Sequence, residues 1–245
     1  MEENYKKNVA LYKMPSIYPK QTIDTIHRME AHQNVLGVLF FHNDLLELST
    51  LPEAMTQALS FKLPTIVQCF RRAVHEIDIL DDFMAFRIAT ASLEILLIGD
   101  KSFSACVVQT FPKKRKHSSH LKILTNLLKN YNDERLVRTT ASLNEINPIV
   151  DRIMEDDSVE GVIMANNEGE PILTNMHLMN ATAYSLAMHR LGVMVQNCVK
   201  EVNPFDEVMV LRVNTKKVEI MTAPHKDFCI IIVQHSRSKV KEKPK

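Results

Sequence analysis

One stretch of this chain occurs twice, at a fixed spacing of 125 residues. Glu207 to Gln234, EVMVLRVNTKKVEIMTAPHKDFCIIIVQ, reads as three short strands joined by two tight turns. DDFMAFRIATASLEILLIGDKSFSACVVQ (81–109) matches it at Asp81/Asp206, Met84/Met209, Arg87/Arg212, Thr90/Thr215, Glu94/Glu219, Ile95/Ile220, Lys101/Lys226, Phe103/Phe228, Val108/Val233 and Gln109/Gln234. The match runs without a gap. The chain is therefore expected to hold two copies of one domain, with its function built from their pairing.

Its 245 residues suit two domains of about 100 residues each. With 45% hydrophobic and 24% charged residues, each copy can bury a core. A net charge of +1 gives no global attraction for nucleic acid or anionic membrane. The opening residues lack the apolar core of a secretory leader, and no apolar run approaches the roughly 20 residues that span a bilayer, so an intracellular, soluble protein is expected. Cys69, Cys106, Cys198 and Cys229 lack CxxC spacing and lie in apolar helix or strand patterns, which points to buried free thiols.

Residues 1–18, with Tyr5, Tyr12 and Tyr18 among lysines and prolines, are expected to form a flexible arm. The first copy, 19–110, opens with a helical pattern at Ile23, Ile26 and Met29 that Thr22 is placed to cap. VLGVLFF (35–41) and LELST (46–50) read as a hairpin, and an apolar helix follows from about Met55 to Ile77. Pro64 falls inside that helix and costs about 3 kcal/mol in a regular one, so a kink or a restart is expected there. Residues 111–141 form a linker that opens with PKKRK and continues with Leu121, Leu124, Leu127, Leu128 and Tyr131 at helical spacing.

The second copy, 142–236, opens with Asn147 as cap and Pro148 in the first turn, followed by the apolar face Ile149, Val150, Ile153 and Met154. GVIMANNEGEPILT (161–174) reads as two strands around Asn166–Gly169, with the glycine at positive φ. A helix from about Asn180 to Val202 is apolar on two sides. One stripe runs Tyr184, Met188, Leu191, Val195, Cys198 and Val202, while Leu186, Gly192 and Val193 lie off it and call for a partner. Each copy thus has the order helix, two strands, helix, three strands, an α+β fold of a five-stranded antiparallel sheet with helices on both faces. Residues 237–245 are a basic tail.

GVIMANNEGEPILT, YSLAMH (184–189), VKEVNPFDEVMVLRV (199–213), KKVEIM (216–221), APHKDF (223–228) and CIIIVQ resemble, in order, the roadblock family of dynein light chains. The first copy resembles it more weakly, chiefly through the repeat. It carries Asp44-Leu45-Leu46-Glu47 in place of Glu168-Gly169-Glu170-Pro171, Gly99 where the second copy has Pro224, and Pro64 where it has His189. The resemblance implies two roadblock-type, profilin-like domains and a non-catalytic accessory light chain of a dynein motor. Such a subunit binds the dynein intermediate chain and other roadblock light chains, and resides with the cytoplasmic or axonemal microtubule machinery. A roadblock-type scaffold that docks a small GTPase or its regulators is the alternative. The resemblance also implies pairing through the first strand of the three-stranded unit, with the long helices packed across the axis.

The residues themselves lead to the same pairing. An exposed edge at Phe83–Ile88 or Val208–Val213 is a template for another strand. Setting the copies edge to edge gives an intramolecular pseudo-dimer, with Phe83, Phe86, Ile88, Leu186, His189, Gly192, Val193, Val208, Met209, Leu211 and Val213 as candidate interface residues. Gly192 allows close approach of a second helix, or is a tolerated weak position.

Other chemistry finds little footing. PKKRK has the composition of a nuclear-import signal and equally that of a solvated linker. The strands lack a row of exposed aromatics and the chain has no tryptophan, which disfavours nucleic acid. The pairs His27/His32 and His117/His120 lack zinc-motif company, and neither GxxxxGK nor GxSxG occurs, so no cofactor, metal or catalytic residue is assigned. Asp81-Asp82 and Asp156-Asp157 are expected to be solvated turn carboxylates. Arg87 and Arg212 are expected at the sheet surface or the interface.

Overall fold

The computed structural model describes residues 20–99, 103–111, 153–224 and 228–236. These form α1 (Lys20–Glu30), β1 (Val35–His42), β2 (Leu45–Ser49), α2 (Glu53–Ile77), β3 (Phe83–Thr90), β4 (Leu93–Gly99) and β5 (Phe103–Thr110) in the first half. The second half supplies β6 (Val159–Asn166), β7 (Pro171–Thr174), α3 (Leu178–Val202), β8 (Val208–Thr215), β9 (Val218–Pro224) and β10 (Phe228–His235). The fold is α+β. All ten strands join one antiparallel sheet in the order β2-β1-β5-β4-β3-β8-β9-β10-β6-β7.

The strands alternate, and the alternation sorts the core into layers. One continuous apolar core runs under α2 and α3 and draws on both halves, from Leu39, Phe86 and Val108 to Leu211, Ile231 and Val233. Two smaller clusters lie apart from it: Ile26 of α1 with Val38, Phe40 and Leu48, and Ile153 with Val162, Met221 and Ile232.

The long helices follow from their apolar spacing. In α2 the buried side chains are Leu59, Leu63, Ile66, Val67, Phe70, Ala73 and Val74. In α3 they are Ala181, Ser185, Ala187, Met188, Leu191, Gly192, Val195, Cys198 and Val199. Both recur every three to four residues. Both helices end alike, with Asp78 and Asn203 extended and their N–H groups donating to the carbonyls of Val74 and Val199.

Of the kink or restart expected at Pro64, the restart does not occur; the second helix is continuous from Glu53 to Ile77 with the proline inside. Its apolar stripe is buried on both sides of the proline, and several side chains worth about 1.5–3 kcal/mol each outweigh a penalty of about 3 kcal/mol. Thr22 lies within α1 rather than at its cap. Helix α3 starts at Leu178, close to the expected start near Asn180, and His177 caps it by accepting the Met179 N–H at Nδ1 over 3.4 Å. The arm (1–18), nearly all of the linker, the Asn147-Pro148 start and the tail (237–245) lie outside the described residues.

Candidate functional site

The two halves meet along β3 and β8. These strands are antiparallel, with Phe86 opposite Val213, Arg87 opposite Arg212 and Ile88 opposite Leu211. Phe83, Phe86, Ile88, Val208, Leu211 and Val213 are buried in the shared core, while Met209 is half-buried. Phe70 of α2 stacks on Phe86 with ring centroids 4.9 Å apart and lies 5.7 Å from Phe83.

At each end of this seam, a buried aspartate from one half holds the turn of the other. Asp206 is 2% exposed. Its Oδ2 accepts from the Thr90 hydroxyl at 2.6 Å and the Ser92 hydroxyl at 2.5 Å, and its Oδ1 accepts from the Ala91 N–H at 2.9 Å. Asp81 is 4% exposed and mirrors it. It accepts from the Thr215 hydroxyl at 2.5 Å and from the Lys217 N–H at 3.1 Å. Backbone bonds repeat the symmetry, Ala91 N–H to Glu207 carbonyl at 3.1 Å and Lys216 N–H to Asp82 carbonyl at 3.0 Å.

Asp81 is thus not the solvated turn carboxylate expected from its place at an element end. It is buried because the opposite half closes over it. These two aspartates and their threonine partners are the residues that sequence reasoning missed. The signal was present, since Asp81/Asp206 and Thr90/Thr215 are identical pairs of the repeat.

A second set of repeat pairs crosses the sheet in a row. Arg87 pairs with Glu94, and Glu94 accepts from Gln109 at 2.6 Å. Arg212 pairs with Glu219 at 3.0 Å, and Glu219 accepts from Gln234. Two arginines directly opposite on adjacent strands repel one another. A buried glutamate beside each supplies the compensating charge, so the arginines stand at the joint between the halves.

Surface charges surround the Asp81 end. Lys217 Nζ lies 2.5 Å from Asp78 Oδ2, and Lys216 Nζ lies 2.5 Å from Asp82 Oδ2. The hydrogen bond from Lys217, aided by the Leu80 N–H, holds the Asp78 carboxyl below its ordinary pKa of 3.8. A carboxyl lowered in the folded state stabilises the fold above that value. The contribution fades as pH falls through the lowered pKa.

The helices also join the halves. Lys62 of α2 pairs with Glu201 of α3 at 3.0 Å, and Arg190 of α3 pairs with Glu76 of α2 at 2.9 Å. Gly192 is buried on α3, whereas Leu186 and Val193 are exposed. His189 is half-buried against the β6–β7 turn, where Gly169 has φ +85°. A Cβ on Gly169 would stand 3.0 Å from that of His189. Gly169→Ala is accordingly expected to cost about 1–2 kcal/mol for the left-handed backbone alone, read as a lowered thermal midpoint.

Burial pushes the thiols of Cys106, Cys198 and Cys229 upward, the last two to about 11. Since the thiolate is the reactive form, a maleimide at pH 8 is expected to label half-buried Cys69 first. The other three should react only on unfolding, as mass spectrometry of the labelled peptides would show. Among the described residues no group of three or more His, Cys, Asp or Glu is placed to hold a metal ion, and no helix is long and apolar enough to cross a membrane. No family model matches the chain.

Proposed function

We propose that this chain is a non-catalytic binding module, an accessory light chain of a dynein motor that binds the dynein intermediate chain and supports microtubule-based transport. In this reading each half is a roadblock-type domain of five strands, and the chain is a pseudo-dimer fused into one polypeptide. It works in the cytoplasm or the axoneme, at the cytoskeleton, without a cofactor. The observation that carries the reading is the joint itself: β3 and β8, the first strands of the two three-stranded units, pair side by side while α2 and α3 pack across them. The ordered sequence blocks of residues 161–234 add to it.

A joined sheet with buried polar latches suits a scaffold for a peptide or subunit, and the exposed Leu186 and Val193 on α3 are surface that a partner would cover. The test is affinity purification of the tagged full chain from cells. Recovery of intermediate chain without small GTPases supports the motor reading. Recovery of GTPases or their regulators without intermediate chain overturns it in favour of a GTPase-docking scaffold.

A further inference from the structure

The two ends of the seam match in geometry and differ in charge. At one end Asp78, Asp81 and Asp82 of the first half meet Lys216 and Lys217 of the second. At the other, the repeat replaces both lysines by Ala91 and Ser92, and it replaces Asp78 and Asp82 by Asn203 and Glu207. Asp206 is met there by hydroxyl and amide donors.

We propose that this asymmetry is a pairing code that makes the first half select the second half, and not another copy of itself, as its strand partner. The exchange of like for unlike can be followed through the repeat. Two first halves joined by the same geometry would set Asp78, Asp81 and Asp82 against Ala91 and Ser92 at both ends, gathering carboxylates with no lysine at the facing positions. Two second halves would keep Lys216 opposite Glu207, but Lys217 would face Asn203. Only the unlike pairing gives both lysines an aspartate. Burial adds to the choice, because Asp81 itself sits under the facing turn and further carboxylates beside it have no lysine to offset them. The code holds whichever partner the chain binds, since it concerns the joint and not the outer surface.

The full chain carrying Lys216→Glu and Lys217→Glu tests it. Light scattering is expected to move from the mass of one chain, 28.1 kDa, toward two or more, and the paired amides of β3 and β8 are expected to exchange faster than in the wild type. Adding Asp78→Lys and Asp82→Lys reverses both partners and should restore the single-chain mass and the protection. Unchanged mass and protection in the double variant overturns the code. So does a quadruple variant that behaves like the double one, because the positions would then matter for something other than complementary charge.

If the double variant does not fold by circular dichroism, Lys216→Gln with Lys217→Gln replaces it. Exchange at the seam should then quicken by about tenfold at low salt, as two ion pairs permit, and the wild type should approach the variant at high salt. A wild-type seam indifferent to salt overturns the proposal.

Discussion

Replacing Asp206 by alanine is expected to lower the unfolding free energy by about 3 kcal/mol, the loss of charge-assisted hydrogen bonds from one buried carboxylate to several donors. The Thr90 and Ser92 hydroxyls and the Ala91 N–H all converge on this one carboxylate. The Thr90 hydroxyl is buried at the seam, whereas Ala91 and Ser92 lie at its exposed rim. Asp206→Asn keeps the shape and one acceptor oxygen, so it should fall between the wild type and alanine. Urea denaturation measures the difference. A loss below about 1 kcal/mol for alanine, the size of an ordinary neutral hydrogen bond, would mean that the latch does not hold the halves.

Phe70→Ala is expected to cost about 3–5 kcal/mol, the range for a fully buried phenylalanine whose cavity cannot collapse. Phe70 has no exposed surface and stacks on Phe86 in the seam strand. The informative readout is how the loss is shared. Because one core spans both halves, calorimetry should show a single transition that shifts as a unit. A second transition left at the wild-type temperature would show that the halves unfold independently and that the common core does not couple them.

Much of this architecture was legible in the sequence, for reasons that particular residues make clear. The strands β3 and β8 could be read because they carry the repeat, and Gly169 because an Asn-rich turn with glycine calls for positive φ. The apolar stripes of α2 and α3 were plain at helical spacing. Their C-terminal ends at Ile77 and Val202 were legible too; their first turns and the outcome at Pro64 were not, since the His177 cap and tertiary burial decided them. The aspartates escaped because an acid at the end of an element is solvated by default. The hydrogen-bond partner of buried Asp81 is Thr215, which lies 134 positions away in the chain, and no local pattern encodes that distance. Identical polar residues inside both copies were the available clue: Asp81/Asp206, Thr90/Thr215, Glu94/Glu219 and Gln109/Gln234 all meet partners at or beside the seam.

The pairing of β3 with β8 inside one polypeptide has a consequence for stoichiometry. Separate subunits joined by a strand pair come apart when diluted below their dissociation constant, and their members can be exchanged for related chains. Two halves on one chain face each other at an effective concentration on the order of millimolar, whatever the cell's supply. The ratio of the halves is thereby fixed at one to one during synthesis. Scarcity can leave fewer intact joints, but it cannot leave a half joint waiting for its mate.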